Sequence, residues 1–146
     1  MPMDMTVDRL LDICEAPNVR AATVKGDELG WRRQTDAETE EWRSHFVAYN
    51  GGSVEVVGWR RDDNAGEADL LSFWVAVGPN GHKACTFSTK KPAGLLNALS
   101  ERLGIPDTME KEDAIEMISA YWKRGAVEYS FTQIGSTAAI AIGPSQ

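Results

Sequence analysis

The sequence predicts an α+β fold in which about four helices cover a mainly antiparallel sheet, a central three-stranded meander plus a C-terminal hairpin. Segments with strand periodicity follow one another as hairpins, and no regular β-α-β alternation runs along the chain. The chain has 146 residues, of which 42% are apolar and 25% charged, which is typical of one folded domain. We therefore expect a single globular domain over residues 1–146.

Four segments repeat apolar residues at helical spacing, each with its own start or stop signal. The first places Val7, Leu10, Leu11 and Cys14 on one stripe and ends before Pro17. Thr35 followed by Glu38 opens the second segment with a helix-capping pattern, the run 107–110 (Asp-Thr-Met-Glu) gives a second capping signal at the fourth, and a proline opens the third. The predicted helices are residues 5–16, 36–49, 92–103 and 107–124.

Strand signals fall into three groups separated by helices. The middle group has a period of two, with an Asn-Gly turn before its last strand. Its run from Leu70 to Val77 is apolar on both faces, which is typical of a central strand. The predicted strands are Val19–Lys25, Glu28–Arg33, Ser53–Arg61, Ala68–Gly78, His82–Thr89, Ala126–Ile134 and Thr137–Ile142.

The net charge is −7 and the pI is 4.8. Such a surface repels phosphate at long range, which argues against a nucleic-acid partner or an anionic membrane. The first residues lack a basic stretch followed by an apolar run, and no stretch approaches the ~18 apolar residues of a membrane span. We therefore expect a cytoplasmic protein whose partner is another protein.

Residues that carry chemistry are few. Cys14 lies on an apolar helical stripe and Cys85 in a predicted strand, so we expect both to be unpaired, buried and inert. No metal-ligand spacing occurs, and the glycine motifs that hold nucleotide phosphates are absent. The carboxylate clusters fit helix starts and a loop. No metal, cofactor or catalytic residue is predicted, and a non-enzyme is favoured.

Tryptophan followed directly by a basic residue is the one pattern that stands out, and it occurs at four of the five tryptophans. On a strand, residues two apart share a face, which pairs Trp31 with Arg33 and Trp59 with Arg61. Such pairs make cation–π contacts, and both residue types are enriched at interface hot spots. The alternative is a core-facing tryptophan beside a solvated arginine. The candidate partner-binding residues are Trp31, Arg33, Trp59, Arg61, Asp62 and Asp63.

Three classes of function are compatible with these features. The favoured one is a non-catalytic protein-binding module that acts by occlusion, as small acidic inhibitors and immunity proteins do, with acidic clusters that steer a basic partner. The second is an assembly subunit of a phage or secretion apparatus, because the small apolar run 136–142 predicts either an interior strand or an edge that pairs with a neighbouring copy. The third is a small hydrolase built on carboxylates in a sheet cleft.

Overall fold

A computed structural model of the chain describes residues 5–35, 37–40, 44, 53–62, 68–77 and 82–144. The helices are α1 (Val7–Cys14), α2 (Val19–Asp27) and α3 (Leu95–Leu103), with a 3₁₀ turn at Asp113–Ile115. Residues 37–40 and 44 are also helical. The strands are β1 (Arg32–Arg33), β2 (Ser53–Asp62), β3 (Ala68–Val77), β4 (His82–Thr89), β5 (Thr108–Glu112), β6 (Met117–Arg124), β7 (Val127–Ile134) and β8 (Thr137–Pro144). No helix among these residues is long and apolar enough to cross a membrane.

The strands of the described residues form one antiparallel sheet of eight, in the order β1-β2-β3-β4-β8-β7-β6-β5. Strand numbers rise from β1 to β4 along the first half of the sheet and fall from β8 to β5 along the second. Strands β1–β4 make one meander, β5–β8 make another, and the last strands of the two meanders pair at the centre. The predicted sheet, a three-stranded meander plus a separate hairpin, is therefore wrong, because it lacked β5, β6 and this central junction and did not place β1 beside β2.

The predicted helix over 107–124 is instead β5, the 3₁₀ turn and β6. Its apolar residues also fit a period of two, and in β6 this period buries Ala120 and Trp122 on one face of the sheet. Gly125 directly follows the predicted helix 107–124, where a glycine typically ends a helix. In the structure it has φ +63° in the β6–β7 turn. Helix ends and tight hairpins both need a left-handed residue, so the glycine did not separate the two interpretations.

The predicted strand Val19–Lys25 is also wrong, because these residues belong to α2. Asn18 begins this helix, since its Oδ1 accepts the backbone N–H of Ala21 at 2.8 Å. Gly26 packs so closely on the Trp59 ring that a Cβ atom there would lie 2.1 Å from it. Of the strand predicted at Glu28–Arg33, only β1 forms.

The other predicted elements are found, with small shifts at their ends. They are α1, α3, the β2–β3–β4 meander and the β7–β8 hairpin. The capping box before residue 37 is confirmed, because Thr35 Oγ1 accepts the Glu38 N–H at 3.2 Å and Glu38 Oε1 accepts the Thr35 N–H at 2.9 Å. A hydrogen bond from Arg32 lowers the pKa of Glu38 to about 2. The helix predicted at 36–49 lies largely outside the described residues.

Helices α1, α2 and α3 pack on one face of the sheet, which we call the helix-covered face. The strand register places its large apolar side chains in rows that cross the sheet. Trp59, Leu71, Phe87, Ile140, Phe131 and Ala120 form one row, and Val57, Phe73, Cys85, Ile142, Tyr129 and Trp122 form the next. Each of these residues is buried, so the two rows are the centre of the core.

Cys14 and Cys85 form a disulfide, with an S–S distance of 2.01 Å, so the expectation of two unpaired cysteines is wrong. The bond joins α1 to the central strand β4 across a Cα–Cα distance of 5.5 Å. The two residues lie 71 positions apart, and neither helical nor strand periodicity reports which core residues meet over that separation. Lys83 adds a second link, since its Nζ donates to the carbonyl oxygen of Ala16 at 3.0 Å.

Replacement of both cysteines, Cys14→Ser with Cys85→Ser, is expected to lower the free energy of unfolding by about 4 kcal/mol. Loss of a cross-link between residues 71 positions apart increases the conformational entropy of the unfolded chain. At 25 °C this entropy lowers the free energy of unfolding by about the stated amount. Urea unfolding in the absence and presence of a thiol reductant measures the effect. The wild type should lose stability in reductant, whereas the double variant should not respond to it. Equal stability of the wild type in both conditions would contradict the prediction.

Candidate functional site

The two tryptophans of the predicted partner-binding patch lie in the core. Trp31 is 6% exposed and Trp59 is fully buried. The Trp59 indole N–H donates to Asp27 Oδ1 at 3.1 Å, which satisfies its polar atom inside the protein. Buried indoles cannot serve as exposed anchors for a partner.

Arg61 holds a compact group of side chains beside these tryptophans. Its Nη2 lies 2.6 Å from Asp69 Oδ2, and its guanidinium carbon lies 5.0 Å from the centre of the Trp31 ring. The other Asp69 oxygen accepts the Thr89 hydroxyl at 2.6 Å. The cation–π contact thus forms across β1 and β2, between Trp31 and Arg61, rather than along one strand. A largely buried ion pair of this kind, whose carboxylate also accepts from Thr89, orients side chains and contributes to the fold.

Arg33 and Asp62 of the predicted patch lie at the surface. Arg33 pairs with Asp27 at 3.1 Å, and Asp62 accepts from Arg60 at 2.8 Å. Asp63 lies outside the described residues. The structure brings Trp31 and Arg61 together but does not join them to Asp62 in one exposed patch. A contact between these surface charges and a partner stays a prediction.

Trp59→Ala is expected to lower the free energy of unfolding by about 3–5 kcal/mol, because it removes a fully buried indole and leaves a cavity against α2. Arg33→Ala is the control, since it removes an exposed ion pair worth no more than ~1 kcal/mol. Urea unfolding followed by circular dichroism measures both. A Trp59→Ala protein as stable as the wild type would show that the indole does not support the core.

The opposite side of β4, β8, β7, β6 and β5 carries a different set of side chains, and we call it the open face. The register places small residues across β4, β8 and β7. None of these residues is charged, and Thr132 and Ala141 are exposed. They are Ala84, Thr86 and Ser88 on β4, Ala139, Ala141 and Gly143 on β8, and Ser130 and Thr132 on β7.

Two aromatic side chains border this floor of small residues. Trp74 of β3 lies on one side and Tyr121 of β6 on the other, and both line a cavity of about 220 Å³ over β4, β8 and β7. Further along the strands, Met117 lies beside Ile134, whose side chain is 55% exposed. The floor and these four larger residues form what we call the open-face groove. It combines largely apolar walls with a base of small side chains, and Glu128 is the charged residue that lines its cavity, a combination typical of binding surfaces.

Glu128 and Tyr121 interact at the end of the open-face groove. The Tyr121 hydroxyl donates a hydrogen bond to the Glu128 carboxylate. This hydrogen bond, together with partial burial and the negative charge of Glu128, raises the pKa of Tyr121. The phenol is therefore held neutral, and its ring is held in place as one wall of the groove.

Glu128→Gln is expected to bring the pKa of Tyr121 down toward its ordinary value. The carboxylate stabilises the neutral phenol, because the phenolate would form next to an existing negative charge. NMR of isotope-labelled tyrosine rings across an alkaline titration measures the change. Tyr129 is the internal reference, since burial is the largest cause of its own raised pKa. An unchanged Tyr121 titration in the variant would show that the hydrogen bond does not hold the ring.

Acidic residues line the outer edge of the open face. In β5, Glu110 and Glu112 point to this side next to Ser119 and Met117 of β6. Residues 107–117 hold five acids (Asp107, Glu110, Glu112, Asp113 and Glu116) and one base, Lys111. A hydrogen bond from the Lys123 backbone lowers the pKa of Asp107, and Arg124 pairs with it at 3.0 Å. The others leave a net negative potential along this edge.

A second cavity, of about 270 Å³, lies on the helix-covered face near the disulfide. Its wall is mostly apolar and includes Leu11, Cys14, Val127 and Ile142. Lys83 also reaches it, but its ammonium group donates to the last carbonyls of the α1 segment. The cavity therefore contains a structural lysine and no arrangement of groups that selects a ligand.

Sequence reasoning missed the open-face groove, although part of the signal was visible. In β8, Ala139 and Ala141 alternate with Ile140 and Ile142, and this alternation separates a small face from a large one. The walls could not be found in the same way, since Trp74 and Tyr121 come from strands in different halves of the chain. Comparison with protein-family models, curated proteins and solved structures finds no match to this chain.

Proposed function

We propose that this protein is a non-catalytic protein-binding module that acts by occlusion and that its binding surface is the open-face groove. The observation that carries the proposal is the contrast between the two sides of the same strands. One side is filled by large apolar residues under α1–α3, and the other is a floor of small uncharged side chains between Trp74 and Tyr121, with Glu128 at its end. Charged and long polar side chains are the usual choice for a strand surface that faces only water.

The carboxylates of one surface cleft are consistent with a non-catalytic function. The cleft between α1 and α3 holds Asp8 and Glu101. Asp8 pairs with Arg102 at 2.6 Å, and its side chain is 82% exposed. A solvated, paired carboxylate lacks the desolvation that would tune it for acid–base catalysis. An assembly subunit that pairs through the run 136–142 is also disfavoured, because β8 is hydrogen-bonded on both sides, to β4 and β7.

The disulfide bears on the location that we propose for the protein. The sequence-based prediction of a reducing cytosol conflicts with a Cys14–Cys85 bond that links α1 to the sheet. Structural disulfides persist in oxidising compartments and are rare in the cytosol. We therefore favour an oxidising compartment as the place where the binding module acts.

A single arginine on the floor of the groove, Ala141→Arg, is expected to abolish partner capture. It places a long charged side chain where a partner would have to desolvate it. Asn97→Arg is the matched control, since it adds the same charge at an exposed position of α3 on the other side of the sheet. Tagged wild type and both variants are used in pull-downs from native lysate, read by mass spectrometry, and circular dichroism checks folding.

The pull-down supports the proposal when one stoichiometric protein is captured by the wild type and Asn97→Arg but not by Ala141→Arg. The same partner on all three proteins would place binding elsewhere on the surface. Loss with both arginine variants would indicate a general charge effect rather than a site. Either of the last two results overturns the assignment of function to the open-face groove.

A further inference from the structure

We infer that the open-face groove receives a basic amphipathic α-helix of the partner protein. The inference rests on the proposed function and names the chemistry of the partner. Three features of the groove carry it, namely its width, its length and the sign of the charge at its edge.

The width of the groove fits a helix. Trp74 of β3 and Tyr121 of β6 are separated by the three floor strands β4, β8 and β7. Adjacent strands are about 4.8 Å apart, so the axes of β3 and β6, which carry the two walls, are about 19 Å apart. That separation leaves room for the two wall side chains and for an element about 10 Å wide between them. A helix with its side chains is about 10–12 Å in diameter. An extended strand would be too narrow to contact both walls.

The length and the side-chain sizes of the floor agree with this occupant. On β8, open-face positions run from Thr137 to Gly143, a span of about 20 Å at strand spacing. That length corresponds to about 14 residues of α-helix. Small side chains such as Ala139 and Ala141 allow a helix backbone to approach while its own larger apolar residues fill the space between the walls. Ile134 and Met117 lie at one end, where they would contact the apolar stripe of the helix.

The charge at the edge selects a basic helix. The charged residues at open-face positions of β4 to β8 are Glu110, Glu112, Glu128 and Lys123, three acids and one base. Glu110 and Glu112 lie beyond the Tyr121 wall, level with the flank of a helix seated in the groove. Lysine or arginine on that flank would pair with them, and the net charge of −7 would steer such a partner toward the protein.

The same charges disfavour the other occupants. A second copy would bring two acidic edges together, which like-charge repulsion opposes. Addition of a strand at the β5 edge is opposed by the row Glu110, Lys111 and Glu112, since charged residues on an exposed edge block strand pairing. The partner helix is therefore expected to lie along the strands, over the floor, and not at the edge of the sheet.

A designed peptide of about 14 residues tests the inference. It consists of leucine and lysine with the leucines at helical spacing. Two peptides serve as controls, one of the same composition in alternating order and one with glutamate in place of lysine. Each is labelled and titrated with the protein, and fluorescence anisotropy gives the Kd at two salt concentrations. The proteins are the wild type, Ala141→Arg with its control Asn97→Arg, and Glu110→Lys/Glu112→Lys with its charge-matched control Glu28→Lys/Glu101→Lys.

We expect the wild type to bind the helical lysine peptide. The Kd should rise about tenfold or more for Ala141→Arg and stay near the wild-type value for Asn97→Arg. The Glu110→Lys/Glu112→Lys protein should bind more weakly and respond less to salt than its charge-matched control. The inference would be overturned if all five proteins bound the helical lysine peptide equally tightly. It would also be overturned if the wild type bound the alternating or the glutamate peptide as tightly as the helical lysine peptide. Sedimentation of the wild type as a dimer that Ala141→Arg dissociates would overturn it as well.

The two proposals fail in distinguishable ways. If Ala141→Arg loses its partner in the pull-down but the helical peptide does not bind the wild type, the groove is a protein-binding site and its occupant is not a basic helix. If the pull-down shows no difference between Ala141→Arg and Asn97→Arg, the proposed function itself is wrong.

Discussion

The antiparallel pairing of β4 with β8 is the contact on which the rest of the structure depends. It joins two four-stranded meanders, formed by separate halves of the chain, into one continuous sheet. The residues of this junction also carry the core, since Cys85 lies beside Ile142 and Phe87 beside Ile140. The disulfide then ties α1 to the same junction, so the helix layer and both meanders meet on one strand.

The two sides of the central strands follow from this junction. Because side chains alternate along a strand, the register that buries Ile140 against Phe87 also places Ala139 and Ala141 on the opposite side. A slip of one residue would bury the alanines and expose the isoleucines. The open-face groove is thus not a separate addition to the fold, since the pairing that builds the core determines which residues line it.

The buried polar groups show what the tryptophan–arginine pattern corresponds to in this fold. Trp59 and Trp122 are both fully buried, and each indole N–H finds an acceptor, Asp27 Oδ1 for the first and the Gly104 carbonyl for the second. The basic residue that follows each tryptophan points to the other side of its strand. Arg61 lies two residues after Trp59 and therefore on the same side of the strand, where Asp69 neutralises its charge beside the core. Strand alternation at the border of the core and an exposed binding patch therefore produce the same sequence pattern.

The sequence by itself determined the elements whose signals are local. Residues of α1, α3, the β2–β4 meander and the β7–β8 hairpin follow their periodicity, and the Thr35–Glu38 capping box forms as its spacing predicts. Tertiary structure decided the elements whose pattern fits two periods. Residues 117–124 become β6 because the edge of β7 pairs with them and buries Trp122, and the α2 segment becomes a helix because it packs on Trp59. The disulfide, the burial of Trp31 and the two walls of the groove depend on contacts between residues far apart in the chain, which no local pattern contains.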